Sequence, residues 1–473
     1  MKVLLIAPIK LSGLKDSKGT IPVPLLYLAA ALRQHGHEPH VLDLSVGKSG
    51  KDGYSADYYI EEVLASIAEI KPDFVGINCF TTLHFPVVLK IAEAIRAVQS
   101  DLPIATGGAH PSLFASEILN NSDAFDFVAI GEAEESIVEL VRALAEDNLE
   151  NLDHVQSLAF RRDNEIRITS RRNYFTDLDQ LPEAAWDLIS FSDYYVDLSS
   201  WYNPKGLKFN LSVPILSSRS CPFTCNFCAI YTTMGRKIRL RSPQKVVDEI
   251  EKLHQQRGQN YFGFIDDNVN INRKHILAIC NEIVRRGLNI QWETTCGTYL
   301  AALDDEVISA MGSAGCVFVR LPIEHGNDKM RTLVGKKLSR DKIYSVADSL
   351  KRHGMFTSSM FIMGFPEDTA ETLEDTRRMI EDLELDLNYV FNIIPFPGTK
   401  VFEQAQKDNL FLDSFRPDEL WKGGINLDPV QDEARFFIKP YQMTMDELRY
   451  YRKVFDGLQF KSAKARLLNK MAA

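Results

Sequence analysis

The 473-residue sequence lacks an apolar run of the roughly 18 residues that a membrane-spanning helix needs. Its start, "MKVLLIAPIK", has the pattern of a strand and no small-residue cleavage site, so no signal peptide is predicted. Low-complexity tracts are absent, and a hydrophobic content of 45% with a charged content of 25% is typical of globular domains. The net charge of −10 argues against a stable nucleic-acid partner. We expect a cytoplasmic globular protein of about two to four domains.

Cysteine is scarce, with 7 in the whole chain, and a chain without a secretory segment is expected to stay in a reducing compartment. Four of these cysteines stand alone in the sequence: Cys79, Cys280, Cys296 and Cys316. An isolated thiol of this kind is most often a small buried hydrophobic residue. The other three, Cys221, Cys225 and Cys228, lie together in "SCPFTCNFC" and need a common explanation.

The first 150 residues lack a G-x-G-x-x-G fingerprint, which argues against a dinucleotide cofactor. They alternate short apolar strands, such as "KVLLIAP" and "DFVGINCF", with amphipathic helices such as "VPLLYLAAALRQHG". This alternation predicts an α/β fold with a Rossmann-like, doubly wound parallel sheet over residues 1–150. Ligands of such sheets bind at the carboxyl ends of the strands. Polar residues and glycines mark those ends: Asn78, Thr81, Thr82, His84, Gly107, Gly108, His110, Gly131 and Glu132.

A second series of strands and helices follows a predicted connector over residues 151–205. Six apolar segments, from "SVPILSSRS" to "NYVFNIIPF", are each followed by a helix-like stretch, so residues 206–410 are predicted to form a partial (β/α)6 TIM-like barrel, open on one side. Ser242 before Pro243 is expected to cap one helix, and Asp368, three residues before Glu371, is expected to cap another. Residues 411–473 are predicted to form a small, mostly helical C-terminal cap.

The three clustered cysteines are spaced C-x3-C-x2-C on the loop that leaves the first predicted barrel strand. Zinc prefers four closed ligands and usually shows a second pair of Cys or His residues, which this sequence lacks. A [4Fe–4S] cluster held by three thiolates instead leaves one iron without a protein ligand, so a small molecule can bind that iron directly. The spacing therefore favours a reactive iron–sulfur site over a structural zinc site.

The loop "SCPFTCNFC" resembles the cluster loop of the radical S-adenosylmethionine (SAM) superfamily. The resemblance implies that its three cysteines hold a [4Fe–4S] cluster whose open iron binds SAM, and that SAM is cleaved to a 5′-deoxyadenosyl radical. It also implies that SAM contacts residues after the second, fourth and fifth barrel strands: Asp266, Asp267, Glu324, Gly364 and Pro366. The two aspartates also stand where helix caps are common, and "RLPIE" departs from the family's more glycine-rich form before Glu324.

A parallel-sheet domain ahead of such a barrel resembles the class of the superfamily that binds cobalamin (vitamin B12). The pieces that carry this resemblance are "PDFVGINCFTT", "TGGAHPS" and "FVAIGEAEESI". The resemblance implies that cobalamin contacts the strand-end residues Asn78, Thr81, Thr82, Gly107, Gly108, His110, Gly131 and Glu132. The D-x-H-x-x-G motif of methyl-B12 carriers is absent, so His110 is expected to line the pocket or cap a helix rather than bind cobalt.

The resemblance implies methylation of an unactivated carbon of a small molecule, or of phosphorus in a smaller subgroup, through the 5′-deoxyadenosyl radical and methylcobalamin. A flavodoxin or ferredoxin is the implied electron donor. Two alternatives stay open: a non-methylating member that forms a ring or oxidises its substrate, and a non-catalytic sensor that carries the cluster. No motif identifies the substrate.

Two residues that follow "WETT", at the carboxyl end of the third predicted barrel strand, are candidate catalytic residues that would donate a hydrogen atom or a proton: Cys296 and Tyr299. Cys316 begins its strand at the barrel floor, where residues usually serve stability. Three aromatic residues are candidates either for the substrate pocket or for packing: Trp201, Tyr202 and Trp421.

Overall fold

The computed structural model describes residues 1–8, 20–46, 56–170, 174–196, 205–413, 415–423 and 436–459. Trp201 and Tyr202, two of the aromatic candidates for the substrate pocket, lie outside these ranges, as does the part of the predicted cap from residue 460 onward. No helix within the ranges is long and apolar enough to span a membrane.

Seven strands form the sheet of the first domain: β1 (Lys2–Ala7), β2 (Glu38–Asp43), β3 (Phe74–Asn78), β4 (Ile104–Gly107), β5 (Phe127–Ala129), β6 (Leu158–Arg162) and β7 (Glu165–Ile168). Their order across the sheet is β2-β1-β3-β4-β5-β6-β7, and β1 to β5 run parallel. The carboxyl ends of β3, β4 and β5 therefore lie side by side at one edge.

Six helices accompany this sheet: α1 (Val23–Gln34), α2 (Ala56–Ile70), α3 (Phe85–Val98), α4 (Ala109–Leu113), α5 (Ala115–Asn121) and α6 (Glu134–Ala145). α1 and α6 pack on the face that carries Val3 and Leu5. α2, α3 and α5 pack on the other face, which carries Leu4 and Ile6. Because helices cover both faces, the central strands β1, β3, β4 and β5 are largely buried, and the doubly wound sheet predicted from the sequence is confirmed.

The first sheet extends beyond residue 150. β6 pairs antiparallel with β5, and β7 pairs antiparallel with β6, so "SLAFRRDNEIRI" completes this sheet and is not part of a connector. β7 lies at the sheet edge with mostly exposed side chains, and its polar sequence gives only a weak strand signal. The connector therefore begins after Ile168, later than expected.

The second domain contains the strands β8 (Val213–Ile215), β9 (Ser218–Arg219), β10 (Arg239–Leu240), β11 (Tyr261–Phe264), β12 (Gln291–Thr294), β13 (Cys316–Glu324), β14 (Phe356–Met363) and β15 (Leu387–Asn392). Six of them form a parallel sheet in the order β15-β14-β13-β12-β11-β8, which follows the chain. Among the described strands, β8 and β15 do not pair with each other, so the predicted barrel is open on one side. β9 and β10 form a separate antiparallel pair that flanks the cysteine loop.

The helices of this domain and of the C-terminal segment are α7 (Ile230–Met234), α8 (Pro243–Arg257), α9 (Arg273–Arg285), α10 (Asp305–Ser313), α11 (Asp328–Leu333), α12 (Arg340–Arg352), α13 (Ala370–Leu383), α14 (Lys400–Lys407) and α15 (Met445–Leu458). Ser242 caps α8 through a hydrogen bond from Lys245 N at 3.4 Å, as predicted. The cap predicted at Asp368 is wrong. Thr369 caps α13 instead, and its hydroxyl accepts from Thr372 N at 3.2 Å.

The C-terminal segment contacts both domains. Leu420 and Phe437 are buried in the core of the first domain, whereas Leu448 of α15 belongs to the core of the barrel domain. Trp421 lies in a short 3-10 turn over Pro417–Lys422. This segment therefore bridges the two domains.

Candidate active site

Cys221, Cys225 and Cys228 lie on the loop between β9 and α7, and all three are partly exposed. Burial raises the pKa of the Cys225 thiol to about 11, against the opposing effect of Lys336, and the other two thiols raise it further. The three groups are therefore close neighbours. Among the described residues, no three His, Cys, Asp or Glu side chains meet closely enough to hold a single metal ion. The loop fits an iron–sulfur cluster, in which each thiolate binds a separate iron.

The backbone of the cysteine loop is fixed by two later loops. Asn226 N donates to Val334 O at 3.1 Å, and Asn226 O accepts from Val401 N at 3.1 Å. Gly335 has a φ of +91°, and a Cβ at this position would lie 3.1 Å from Cys225 Cα. Glycine therefore permits the close approach that holds the loop in place.

Asp266 and Asp267 follow β11 but lie in different environments. Asp266 is buried, and its carboxylate accepts from Ser217 N at 3.1 Å, Ser217 Oγ at 2.7 Å and Ser218 Oγ at 2.5 Å. These hydrogen bonds hold the segment ahead of the cysteine loop, and the contact of Asp266 with SAM stays a prediction. Burial, and then Asp266, raise the pKa of Asp267 to about 6. Because Asp267 raises the pKa of two of the cluster thiols, it is the aspartate that lies near the cluster loop.

Glu324 ends β13 in a backbone conformation that is uncommon for a side chain, with a φ of +69°. The pairing of β13 with β14 shifts register between Pro322 and Glu324, and such a bulge re-aims the side chain that follows it. The Glu324 carboxylate meets Lys336 Nζ at 3.0 Å. Burial lowers the pKa of Lys336, but Glu324 and Cys225 raise it, and the net shift is upward. Glu324 is thus aimed at the cysteine loop.

A buried network behind Glu324 fixes the ends of two strands. His325 Nε2 lies 2.9 Å from Asp368 Oδ1, and both side chains are fully buried. Asp368 Oδ2 accepts from Gly364 N at 2.7 Å and from Phe365 N at 2.9 Å. These bonds occupy the carboxylate that the sequence assigned to a helix cap.

Gly364 and Pro366, two of the residues predicted to contact SAM, lie in the turn after β14. Gly364 is buried with a φ of +89°, and a Cβ there would contact side chains of the C-terminal segment. Pro366 O accepts from Tyr441 N at 2.8 Å. The C-terminal segment therefore packs over this turn.

Cys296 and Tyr299 follow β12 at the same end of the barrel. Cys296 is exposed, although the surrounding protein and then Asp267 raise the pKa of its thiol to about 11. Tyr299 is held by two backbone bonds with the Asn270 amide, at 2.7 and 2.9 Å. Its ring lies 4.6 Å from that of Phe223, which belongs to the cysteine loop. Tyr299 thus packs against the loop, and a role for either residue as a hydrogen donor stays a prediction.

His110 and Thr82 lie beneath the C-terminal segment and not at an open strand end. His110 Nδ1 is 3.2 Å from Thr82 Oγ1, and His110 Nε2 is 3.0 Å from Trp421 O. Burial lowers the pKa of His110 to about 4, with Trp421 O opposing the shift. Both ring nitrogens are engaged inside the protein, and contacts of His110 and Thr82 with cobalamin stay a prediction. Trp421 likewise packs and does not line an open pocket.

Gly108 is explained by a neighbouring strand. It has a φ of +119°, and a Cβ at this position would overlap the carbonyl oxygen of Cys79 and approach Asn78 Oδ1 at 3.0 Å. The backbone at the end of β3 therefore packs closely against Gly108, which is the residue predicted to let the protein backbone approach the corrin ring. Four other predicted residues stay half-buried at this edge of the sheet: Asn78, Thr81, Gly107 and Gly131.

Glu132 takes part in a buried ion cluster between the domains. Its carboxylate meets Arg239 at 2.7 Å and Arg219 at 3.6 Å, and Glu134 meets Arg219 at 2.6 Å. Burial raises the pKa of Glu134, but Arg219 lowers it, and the net shift is downward, so Glu134 stays ionised. The main partners of Glu132 in the structure are thus arginines of β9 and β10, and its contact with cobalamin stays a prediction.

Three atoms of the ion cluster are buried without a hydrogen-bond partner among the described residues: Glu132 Oε1, Glu134 Oε2 and Arg239 Nε. They lie where the strand ends of the first sheet meet the strand pair beside the cysteine loop. Unpaired buried polar atoms are costly, so a polar ligand at this interface would be stabilised by them. The interface therefore fits a large cofactor with amide side chains, as cobalamin has.

Arg219, Arg239, Glu134 and Lys336 were not predicted as site residues. Arg239 and Glu132 are separated by 107 positions, and Arg219 and Glu134 by 85. No local pattern connects residues so far apart. The one available signal was the position of Arg219, two residues before Cys221.

The fold and the site together define a two-domain class of protein. A doubly wound sheet presents its strand ends to an open barrel, and the barrel carries a loop of three thiols beside that interface. A family model described as "B12 binding domain" matches residues 17–141, and one described as "Radical SAM superfamily" matches residues 215–380. The chain therefore carries a B12-binding domain ahead of a radical SAM domain, the combination that the sequence resemblance implies. Its predicted cofactors, a [4Fe–4S] cluster, SAM and cobalamin, are confirmed.

Two relatives align with nearly the whole chain. A protein described as an uncharacterized methyltransferase of Pyrococcus horikoshii is 27% identical over 92% of this chain and 89% of its own length. An anaerobic magnesium-protoporphyrin IX monomethyl ester cyclase of Cereibacter sphaeroides is 29% identical over 93% of this chain and 71% of its own length. The predicted class of enzyme, a cobalamin-dependent radical SAM enzyme, is confirmed.

A solved structure shares the whole fold. The radical SAM methyltransferase TsrM from Kitasatospora setae, with cobalamin and a [4Fe-4S] cluster bound, superposes with a TM-score of 0.71 at 18% identity. The match covers 96% of this chain and 85% of TsrM. The predicted combination of a Rossmann-like domain, a partial barrel and a C-terminal segment is therefore confirmed as a known architecture.

Proposed function

We propose that this protein is a cobalamin-dependent radical SAM methyltransferase that methylates an unactivated carbon, or phosphorus, of a small molecule. The observation that carries the proposal is the domain interface, where Glu132 and Glu134 of the B12-binding domain bind Arg219, two residues before the first cluster cysteine. When bound, the three cofactors supply an electron, a hydrogen-abstracting 5′-deoxyadenosyl radical and the methyl group of methylcobalamin. Methyltransferases among the relatives support methylation.

The barrel residues have separate tasks in this proposal. Cys221, Cys225 and Cys228 hold the cluster. Asp267 and the Glu324–Lys336 pair lie near the thiols and offer charged groups of both signs, which suit the amino and carboxylate groups of SAM. The buried Asp266 and His325 hold these groups in position and so reduce the entropy lost when the reactants are aligned.

In this proposal the first domain binds cobalamin. Asn78, Thr81, Gly107 and Gly131 line the carboxyl edge of the sheet, where ligands of such folds bind. The polar atoms of Glu132, Glu134 and Arg239 that lack a hydrogen bond among the described residues would meet polar groups at the rim of the ring. His110 does not bind cobalt in this arrangement, because both of its ring nitrogens are engaged.

Product analysis tests the proposal. The reconstituted enzyme is incubated anaerobically with a reductant, hydroxocobalamin, methyl-labelled SAM and a fractionated metabolite extract. Methylation predicts that S-adenosylhomocysteine and 5′-deoxyadenosine both form and that the label appears in a new product. Formation of 5′-deoxyadenosine alone would rule methylation out, and a variant with all three cluster cysteines changed to alanine controls for background cleavage.

Ring formation is the second candidate. It is favoured by the cyclase relative that aligns with 93% of this chain. The same reaction mixture separates the two functions, since a cyclising enzyme produces 5′-deoxyadenosine and an unlabelled product that has lost hydrogen. The absence of S-adenosylhomocysteine would then favour cyclisation.

We further propose a cytoplasmic location, because three free thiols that hold an iron–sulfur cluster require a reducing compartment. A flavodoxin or ferredoxin is proposed as the electron donor. The net charge of −10 supports the absence of a stable nucleic-acid partner.

A further inference from the structure

The cysteine loop lies against segments that reach the protein surface. Asn226, between two of the cluster cysteines, is bonded to Val334 and Val401 at 3.1 Å. Gly335 approaches Cys225 within van der Waals contact. Directly beside Val334, Leu333 exposes 46% of its surface. Only a thin layer of protein therefore separates Cys225 from this surface.

A third surface segment reaches the same place. α7 follows the last cluster cysteine, and Tyr231 of α7 donates its hydroxyl hydrogen to Gly398 O. A Cβ at Gly398 would lie 3.3 Å from the Thr232 side chain. Residues 230–237, 328–337 and 398–401 thus surround one side of the cysteine loop.

The exposed charges of these three segments are mostly positive. We call the following exposed side chains the basic rim: Arg236, Lys237, Lys329, Lys337 and Lys400. Asp328, the exposed acid of the same segments, is paired with Arg331. The rim stands out because the chain as a whole carries a net charge of −10.

Two other groups near the thiols are acidic. Asp267 follows β11 and Glu324 ends β13, which places both at the carboxyl end of the barrel strands. Glu324 is buried and held by Lys336, and Asp267 is partly buried. A negatively charged macromolecule would therefore be attracted to the basic rim and not to the SAM side of the loop.

We propose that the basic rim, with Leu333 exposed beside it, is the docking surface for a small, acidic, one-electron carrier protein of the flavodoxin type. The inference rests on the proposed function, in which the cluster must receive an electron before SAM is cleaved. The carrier loses one electron and the cluster held by Cys221, Cys225 and Cys228 gains it, and no bond forms or breaks. Electron-transfer encounters use small and transient interfaces, in which charge steers association.

The test measures cluster reduction and not methylation. The reconstituted full-length enzyme is mixed anaerobically with reduced flavodoxin, and the loss of the cluster's visible absorbance is followed by stopped flow at low and high salt. The triple variant Lys329→Glu, Lys337→Glu, Lys400→Glu is expected to slow reduction by about tenfold or more at low salt. The salt dependence of the rate should largely disappear, since screening then has little attraction to remove.

Two controls separate docking from damage. The variant Lys90→Glu, Lys274→Glu, Lys453→Glu makes the same change in charge at exposed lysines of α3, α9 and α15, and it should be reduced at the rate of the unaltered enzyme. Dithionite needs no docking surface, and at high salt, where its own negative charge is screened, it should reduce all three proteins equally. Equal rates with flavodoxin for the rim variant, or equal slowing of the control variant, would overturn the proposal. Slowing of the rim variant with dithionite at high salt would also overturn it, because the cluster itself would then be altered.

This outcome is independent of the proposed reaction. Even if the enzyme forms no methylated product, the rate of cluster reduction still shows whether flavodoxin docks at the basic rim. Conversely, methylation supported by dithionite would stand even if the rim variant behaved like the unaltered enzyme.

Discussion

Glu324 combines an unfavourable backbone conformation with a chemically important position. A non-glycine residue with a φ of +69° costs on the order of 1–3 kcal/mol unless neighbouring contacts hold it. Here the carboxylate is held by Lys336, and the adjacent His325 is held by Asp368. The strain is therefore offset by groups that also fix the site.

The cluster cysteines give the first prediction at the residue scale. Replacement of Cys221, Cys225 and Cys228 by alanine should abolish iron binding, the cluster's visible absorbance and SAM cleavage, since no thiolates remain. Absorbance and iron content after anaerobic reconstitution measure this. Cys296→Ala is the matched control, and it should keep a full cluster; loss of iron in that variant would instead assign Cys296 as a fourth ligand.

His110 gives a prediction about pH. Burial lowers its pKa from 6.5 to about 4, so the unfolded chain binds the proton more readily than the folded chain. Stability contributed by the neutral ring is complete above pH 6.5 and is lost as the pH falls towards 4, by up to about 3 kcal/mol.

The measurement is the free energy of unfolding of the cofactor-free protein between pH 7 and pH 5. His110→Gln, which cannot titrate, should show a shallower loss of stability over this range than the unaltered protein. Parallel curves for the two proteins would contradict the assignment of a buried neutral imidazole.

At the scale of secondary structure, the sequence predicted those helices and strands in which apolar residues recur with a clear period. Most strands of the barrel and of the Rossmann-like sheet have buried side chains on both faces, and their apolar runs predict them. β7 has a strand-like sequence but was assigned to the connector, because a polar edge strand does not indicate which sheet it joins. Asp368 has the spacing of a capping residue, but a buried histidine 43 positions away competes for its carboxylate.

The residues of the candidate site divide in the same way, into those that a local motif predicts and those that depend on distant contacts. The cysteine loop was predicted because one local motif contains all three ligands. The partners of Glu132 and His110 could not be predicted, because Arg239 and Trp421 lie 107 and 311 positions away, in the second domain and in the C-terminal segment. Contacts at such separations depend on how the domains dock, which no local pattern encodes.

The strand pair β9–β10 gives a prediction at the same scale. Arg239→Gln would leave the buried carboxyl group of Glu132 without its 2.7 Å partner, and should cost about 3 to 5 kcal/mol. Arg33→Gln is the matched control, because it breaks an ion pair whose side chains are 46% and 55% exposed, and should cost less than about 1 kcal/mol. Denaturant unfolding of the cofactor-free proteins checks this, and equal losses would show that the interface cluster is not desolvated.

At the scale of the whole molecule, the B12-binding domain and the barrel are held together by buried charge and by the C-terminal segment. A cofactor that binds between them stabilises only the docked state. Hydroxocobalamin at a hundred times its Kd should therefore raise the free energy of unfolding by about 2.7 kcal/mol. Thermal unfolding with and without the corrin measures the increment.

The same mixture can be passed through gel filtration. Corrin absorbance should elute with the unaltered protein and with Arg33→Gln, and should be reduced for Arg239→Gln. Failure of the unaltered protein to retain any corrin would refute cobalamin binding by the first domain.

The ion cluster also has a consequence for biosynthesis. The B12-binding domain leaves the ribosome first, with Glu132 and Glu134 unpaired until the segment around Arg219 and Arg239 is made. The loop for the cluster is therefore shaped only after two regions, synthesised at different times, have met. Iron–sulfur assembly machinery that delivers a finished cluster should act late, on a chain whose domains have already docked, and an isolated barrel would present it with an unfinished acceptor.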